Sequence, residues 1–216
     1  MNLRENCRYL LFIGANGAII VDEDGDLIER TIKASIYNKI AQDAIKQSLN
    51  VSITTIHDGN WYWHTKDNYP IRGATKQRSV WQYIIEKSQL DPDISLTQIK
   101  VLIPSNELIK YKDHLRSRYH DLSIVSSDRD AIDIQASNAT KGVATQDVID
   151  ALGVTIDDVY VVGYSENDIP MFEITDNSYC IEDGDDVAKD HAKYTTSSVS
   201  TLVKEILLKN GRKSSV

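Results

Sequence analysis

One stretch of the chain, Val159–Phe172, constrains the fold more than any other. It begins with Val159–Val162, an apolar and mostly β-branched run that predicts a buried strand. Gly163 then turns the chain into a short acidic loop, and Pro170 stands where the first turn of a helix would begin. Ligands of open α/β sheets bind beyond the carboxyl ends of the strands, so this succession of strand, polar loop and helix indicates a candidate ligand-binding site. Taken alone, the stretch is more typical of an ordinary β–α connection with solvated acids.

A second segment upstream changes that interpretation. Residues 136–144 place Lys141 at the opening of the helix that precedes the predicted strand, with Gly142 directly after it. The N-terminus of a helix favours a bound anion, and a lysine there adds a positive charge. The two segments together therefore indicate a site for an anionic ligand.

The two segments resemble the last two motifs of the haloacid dehalogenase-like phosphohydrolases, in the Cof-type subfamily, which has a large cap domain of the C2 type. Thr140–Gly142 is similar to the Ser/Thr-Lys-Gly step that supplies a lysine to the phosphate. Gly163–Asp168 is similar to the Gly-Asp-x-x-Asn-Asp loop that supplies magnesium ligands, except that Tyr164 replaces the first aspartate. Asn16–Ala18 resembles the Asn-Gly-Ala segment that follows the third core strand.

The resemblance implies an α/β fold with an incomplete Rossmannoid core and an inserted α+β cap. The core would comprise residues 1–30 and 136–216, and the cap residues 31–135. The hydrophobic patterns predict a helix along 32–45, a hairpin of 51–56 and 61–65, and a second helix along 75–89. They then predict a strand at 99–103, a helix at 105–118 and two strands at 122–125 and 131–134. That order predicts an open sheet with helices on one face.

The resemblance also implies roles for individual residues. Lys141 would contact the phosphate, Asn167 would orient the metal ion or the nucleophile, and Asp168 would bind Mg²⁺. Glu166 is a weaker candidate ligand. Tyr164 is a poor substitute for the missing aspartate, because Mg²⁺ is a hard cation that prefers carboxylate, carbonyl and water oxygens.

An alternative site lies in a predicted hairpin turn near the N-terminus. Asp22–Gly25 imitates the Asp-x-Asp-Gly motif with which these enzymes begin, so Asp22 would be the nucleophile and Asp24 the general acid. Two features weigh against it. Asp26 replaces the usual Thr or Val, and the turn follows the Asn-Gly-Ala segment, which in the family comes well after the nucleophile. Acids beside a glycine are also ordinary turn residues.

Composition narrows the class of protein. The chain has 216 residues, of which 41% are hydrophobic, and this content is typical of a globular protein. Its formal net charge of -8 argues against nucleic acid or an anionic membrane as the main partner. No apolar run approaches the roughly 20 residues of a membrane span. The two cysteines, Cys7 and Cys180, indicate no disulfide framework. We therefore predict a cytoplasmic protein.

The family order places a nucleophile strand before the Asn-Gly-Ala segment, and the short stretch preceding Asn16 leaves no room for it. We therefore expect a homologue without phosphatase turnover. Loss of that central strand would leave open edges on the strands at 9–13 and 159–162, which soluble proteins normally cover. We expect either that these two strands pair directly or that a homodimer covers the edge.

Two other interpretations stay open. The chain could be an active Mg²⁺-dependent phosphatase for a small phosphorylated metabolite such as a sugar phosphate, using Asp22 and Asp24 or a nucleophile from a partner polypeptide. Alternatively, the start codon is misassigned or the gene is disrupted, and the chain is a remnant.

Overall fold

The computed structural model describes residues 11–21, 27–47, 52–57, 60–65, 84–86 and 89–213. The chain divides into two compact units, Met1–Thr140 and Lys141–Val216. The assignment of residues 1–30 to one domain with 136–216, and of 31–135 to a cap, stays a prediction.

The described part of the first unit contains a small meander, a six-stranded sheet and two helices. Its strands are β1 (Phe12–Gly14), β2 (Ile19–Val21), β3 (Leu27–Glu29), β4 (Ile32–Lys33), β5 (Ser52–His57), β6 (Asn60–Thr65), β7 (Ile84–Glu86), β8 (Ser95–Leu96), β9 (Ile99–Leu102), β10 (Leu122–Asp128) and β11 (Ala131–Ala136), and its helices are α1 (Ala34–Lys46) and α2 (Ser105–Arg118). The meander is β1-β2-β3, and the large sheet has the order β10-β11-β9-β5-β6-β7. Its pairs are antiparallel except β6 with β7.

The two helices pack on one face of the six-stranded sheet, as the element order predicts. The predicted apolar stripe of α1 buries Ile40 and Ala44, whereas Ile45 at its end is exposed. The core between helices and sheet combines side chains from α1, α2 and the central strands: Tyr37, Ile40, Leu108, Tyr111, Leu115, Ile53, Ile99, Val101, Ile124, Ile132 and Ile134. Burial of this apolar surface holds the helices on the sheet.

One predicted helix is wrong over the part that the structure describes. The segment Ile84–Glu86, expected near the end of a helix along 75–89, is strand β7 and pairs in parallel with β6. Short runs of β-branched residues such as Ile84-Ile85 suit a strand as well as a buried helix turn, and periodicity does not separate the two. The remaining residues up to 83 lie outside the described residues.

The opposite face of the sheet carries a buried polar cluster. On β11, Asp133 and Gln135 alternate with the core isoleucines, so they point away from the helices, and both are buried. Asp133 is 2% exposed and forms an ion pair with Lys100 Nζ on the neighbouring strand at 2.6 Å. Asn16 Nδ2 donates to Asp133 Oδ2 at 2.8 Å and to Gln135 Oε1 at 3.4 Å. Lys100 thus compensates the buried charge of Asp133, and Asn16 supplies a hydrogen bond to its other oxygen.

Asn16 reaches this cluster from a left-handed turn. Ala15, Asn16 and Gly17 have φ angles of 45°, 55° and 100°. Glycine and asparagine tolerate this region of backbone space, but alanine does so at a cost. The Asn16 hydrogen bonds thus hold a strained turn against the sheet.

The second unit is a parallel sheet with helices. It comprises, in order, α3 (Lys141–Leu152), β12 (Val161–Gly163), α4 (Ile169–Phe172), β13 (Ser178–Ile181), α5 (Asp186–Lys189), β14 (Tyr194–Thr196) and α6 (Val199–Lys213). The sheet order is β12-β13-β14, and both pairs are parallel. Val161, Phe172, Cys180 and Ala188 form its buried core. Strands alternating with helices along the chain confirm the predicted α/β class.

The expected direct pairing of the strands at 9–13 and 159–162 stays a prediction, because residues 9 and 10 lie outside the described residues. β1 pairs with β2, and β12 pairs with β13.

No helix in the described part of the chain combines the length and apolarity that crossing a bilayer requires.

The turn at Asn16 generates a stability prediction. Asn16→Gly removes the amide but tolerates the left-handed backbone, and we expect it to lower the free energy of unfolding by about 1–3 kcal/mol because Asp133 loses a donor. Asn16→Ala also places an alanine in the left-handed region, and we expect it to lower the free energy of unfolding by roughly 1–2 kcal/mol more. Urea unfolding followed by circular dichroism measures both variants. Equal stability of the two variants would contradict the strained turn.

Candidate functional site

The candidate site lies at the carboxyl end of β12, where the turn Glu166–Asp168 leads into α4. Two glycines allow the segments to approach. A Cβ on Gly142 would lie 2.4 Å from the carbonyl oxygen of Pro170, and one on Gly163 would lie 2.4 Å from Cβ of Asp168. Any larger residue at either position would push α3 or the turn away. The glycines therefore bring Lys141 and Asp168 together.

Asp168 is the centre of the site. It is 2% exposed, and its Oδ1 forms a close ion pair with Lys141 Nζ. Its Oδ2 accepts the backbone N–H groups of Tyr164 at 2.8 Å and Ser165 at 3.1 Å. Charge-assisted hydrogen bonds of this kind are among the strong ones in proteins. Both oxygens of the carboxylate are thus engaged by the protein itself.

The neighbouring polar residues are fixed in the same turn. Ser165 and Asn167 are both buried, and Ser165 Oγ donates to Asn167 Oδ1 at 2.5 Å. Glu166 is half-buried in the turn. The site therefore holds Asn167 in one orientation through its amide oxygen.

Tyr164 turns its side chain outward, although its backbone is tied down. The side chain is 54% exposed, while its N–H donates to Asp168 and its carbonyl accepts the N–H of Asp185 at 2.8 Å. A hard divalent cation needs several oxygen ligands. Within the described ranges, no three His, Cys, Asp or Glu side chains lie close enough together to hold a metal ion. With Asp168 fully engaged and a phenol at position 164, these residues do not fit a Mg²⁺ site.

The structure brings together some of the residues predicted from the sequence. Lys141 and Asp168 are joined directly, and Glu166 and Asn167 lie in the same turn as Asp168. Asp22 and Asp24, the alternative nucleophile and acid, lie outside the described residues. Their roles, like those of Lys141, Asn167, Asp168 and Glu166, stay predictions.

Sequence reasoning missed two features of the site. One is Ser165, which orders Asn167, although a serine opening a helical turn was a signal for such a role. The other is the pairing of Asp168 with Lys141, which uses the carboxylate that the resemblance assigns to a metal. Sequence periodicity does not predict that contact, because Lys141 and Asp168 are 27 positions apart.

One further titratable group lies beside the site. Burial raises the pKa of the Cys180 thiol on β13, and the carboxylates of Asp168 and Asp185 act in the same direction, while Lys189 opposes them. Cys180 is fully buried. Its side chain is thus a neutral part of the core.

Comparison with known proteins assigns the family. A model of the haloacid dehalogenase-like hydrolases matches residues 2–201. A phosphoglycolate phosphatase of Methanosarcina acetivorans is 29% identical over 111 residues, which are 51% of this chain and 48% of that protein. The 5-amino-6-(5-phospho-D-ribitylamino)uracil phosphatase YwtE of Bacillus subtilis is 29% identical over 93 residues, 43% of this chain and 32% of that protein. The chain thus spans half or less of the length of these two relatives.

Solved structures support the same fold. SMU.1108c from Streptococcus mutans superposes with a TM-score of 0.76 at 21% identity, covering 92% of this chain and 77% of that one. The subclass IIB sugar phosphatase BT4131 of the same superfamily superposes with a TM-score of 0.69 at 14% identity, covering 88% of this chain and 73% of that one. These matches confirm the predicted α/β fold with its Rossmannoid sheet.

The close approach at Gly142 generates a prediction with a matched control. We expect Gly142→Ala to lower the free energy of unfolding by about 3 kcal/mol, because the new methyl group meets the backbone of Pro170. Gly153 has a φ of 61° but open space around it, so Gly153→Ala should cost only about 1 kcal/mol of backbone strain. Urea unfolding compares the two, and an equal or reversed order would contradict the packing of α3 on α4.

Cys180 generates a prediction about reactivity and pH. Its raised pKa and its burial leave little accessible thiolate, so we expect iodoacetamide to label it about tenfold or more slowly in the native state than in urea. A Cys7→Ser background isolates the signal. Because the unfolded thiol ionises first, the stability contributed by this group should be complete below about pH 8.5 and decline above it. Rapid native labelling would contradict the burial.

Proposed function

Because this chain belongs to the haloacid dehalogenase-like hydrolase family, we propose that it is a Cof-type homologue that keeps the phosphate-side lysine but does not turn over phosphate esters. The observation that supports the proposal is the closed cluster of Lys141, Asp168 and the two backbone N–H groups. In that cluster the lysine already has an anionic partner. A phosphate group entering the site would compete with Asp168.

The competition is unfavourable for a substrate. Asp168 is buried, so moving Lys141 away from it would leave its charge uncompensated, and a phosphate group would have to offset that cost through its own contacts. Lys141 is partly exposed, so its ammonium group can meet solvent, but Asp168 cannot. Weak binding of inorganic phosphate to the exposed part of the Lys141 ammonium group is compatible with this geometry, and we expect no tight binding of a substrate.

The metal side of the site supports the same conclusion. A bound Mg²⁺ would neutralise charge on a phosphoryl group and orient it. The described residues do not fit such an ion, because Tyr164 carries no carboxylate and both oxygens of Asp168 are engaged. Asp168 is also a poor nucleophile for that reason, since its oxygens carry hydrogen bonds from Lys141, Tyr164 and Ser165.

A second candidate function is an active Mg²⁺-dependent phosphatase. The names of the relatives favour it, since two are phosphatases of small phosphorylated metabolites and one structural neighbour is a sugar phosphatase. In that case Asp22 and Asp24, or a carboxylate from a partner polypeptide, would supply the nucleophile. A cytoplasmic location is part of either proposal.

A phosphatase assay on the full chain separates the two functions. With p-nitrophenyl phosphate and phosphoglycolate, we expect no Mg²⁺-dependent hydrolysis by the wild type beyond that of Lys141→Ala or Asp168→Ala. The reaction without catalysis is so slow that even weak turnover would be visible.

The decisive variant is Asp22→Asn, with Asp26→Asn as the matched control in the same predicted turn. Hydrolysis that Asp22→Asn abolishes and Asp26→Asn retains would overturn the proposal and establish the phosphatase. Hydrolysis that all these variants retain would point to a contaminating enzyme and would leave the expected result for this chain unchanged.

A further inference from the structure

The left-handed turn of the first unit contains a chemically reactive pair, Asn16 followed by Gly17. Asparagine is a thermolabile residue, and a following glycine has no side chain to keep its nitrogen away from the asparagine amide. In the reaction of such a pair, the Gly17 nitrogen loses its proton and forms a bond with Cγ of Asn16, and ammonia leaves from Cγ. Water then opens the succinimide ring and gives aspartate or isoaspartate.

The backbone of Asn16 holds the two reacting groups apart in the folded chain. Its φ and ψ angles are 55° and 27°. At an L-residue this ψ angle places the nitrogen of Gly17 on the side of the Cα–C bond opposite to Cβ, so the nitrogen cannot reach Cγ. The ring closes only after the Asn16–Gly17 peptide group has rotated about that bond.

Hydrogen bonds on both sides of the pair oppose that rotation. Ala18 N–H donates to the carbonyl of Ala15 at 3.1 Å, which closes the turn. Arg30 Nη1 donates to the carbonyl of Gly17 at 3.2 Å, and Arg30 N–H donates to the carbonyl of Ala18 at 2.8 Å. Gly17 is also buried, so hydroxide has little access to its N–H group. The turn therefore restrains the nucleophile of the reaction.

The side chain of Asn16 is restrained as well. Its Nδ2, the atom that would leave as ammonia, donates to Asp133 Oδ2 at 2.8 Å and to Gln135 Oε1 at 3.4 Å. Both acceptor side chains are buried on β11. Turning Cγ towards Gly17 would take a donor away from two buried acceptors, which costs free energy. The strand β11 therefore restrains the leaving group.

We propose that Asn16 is a modification site that the fold protects: the folded chain suspends deamidation at Asn16 and Gly17, and opening of the turn releases it. The proposal goes beyond the proposed function, because it rests on the turn and on β11 and not on phosphate chemistry. The reaction needs only water and hydroxide as co-reactants.

The product of the reaction is incompatible with the native contacts. Deamidation replaces the donating amide of Asn16 by a carboxylate, which would face two acceptors, Asp133 Oδ2 and Gln135 Oε1. Like charges in contact repel, and Lys100 is already paired with the other oxygen of Asp133 at 2.6 Å. A chain that deamidates while its turn is open therefore does not recover the native turn. Deamidation at Asn16 thus makes an opening of the first unit irreversible.

Mass spectrometry of the tryptic peptide 9–30 measures the reaction, because Asn16 is the one asparagine in that peptide and the peptide contains no glutamine. At mildly alkaline pH, we expect the full chain to deamidate about tenfold or more slowly in buffer than in guanidinium chloride, since only molecules with an open turn react. Equal rates in the two solvents would overturn the proposal.

The variant Asp133→Ala tests the contact itself. It removes the nearer acceptor of Asn16, and we expect several-fold faster deamidation of the native chain. Ile40→Val is the matched control, because it weakens the buried core between α1 and the sheet without touching the turn. Equal acceleration in the two variants, at similar free energies of unfolding, would overturn the role of Asp133.

The variant Asn16→Asp tests the product and does not depend on the folding of Asp133→Ala. We expect its urea midpoint to lie below that of Asn16→Gly, because the glycine variant loses the donor without adding a negative charge beside Asp133. An Asn16→Asp chain as stable as the wild type would overturn the conclusion that deamidated chains do not recover the turn.

Discussion

The second unit depends on one buried carboxylate. Asp168 cannot lie in the interior without compensation for its charge, and it obtains that compensation from Lys141 and from the N–H groups that follow β12. The same contacts fix the start of α3, the end of β12 and the entry to α4 relative to one another. Gly142 and Gly163 are required by this arrangement, because the space that their side chains would occupy is already filled. The chemistry of the site and the packing of the unit thus have a common origin.

The contacts of the Asp168 carboxylate differ from those that the resemblance implies. In the motif that Gly163–Asp168 resembles, two acids bind a metal ion, and in this chain Tyr164 replaces the first of them. The phenol of Tyr164 carries no carboxylate, and the remaining acid, Asp168, is held by a lysine and by backbone N–H groups. A structural ion pair of this kind needs neither a metal ion nor a substrate to satisfy its charges. Lys141 and Asp168 therefore have a structural role in the second unit that requires no catalysis.

Much of this fold could be predicted from the sequence, and the failures have physical causes. The buried strand before Gly163, the helix that ends at Gly153 and the helix after Pro104 follow from local patterns and turn residues. The strand at Ile84–Glu86 was mistaken for a helix because its apolar run is too short to show a period. Contacts distant in sequence, such as Lys141 with Asp168, leave no periodic signal. The motif places both residues at the site, but the contact between them is visible in the structure alone.

The contact between Asn16 and Asp133 has a consequence for how the chain is made. The two residues are 117 positions apart, so the turn at Ala15–Gly17 is synthesised long before the strand that will hold it. Closing so long a loop is entropically costly and slow. While translation proceeds, the left-handed turn and the β1–β3 meander have no polar partner on β11. The N-terminal meander should therefore acquire its native protection from hydrogen exchange only after β11 has emerged from the ribosome, late in biosynthesis although it is first in the chain.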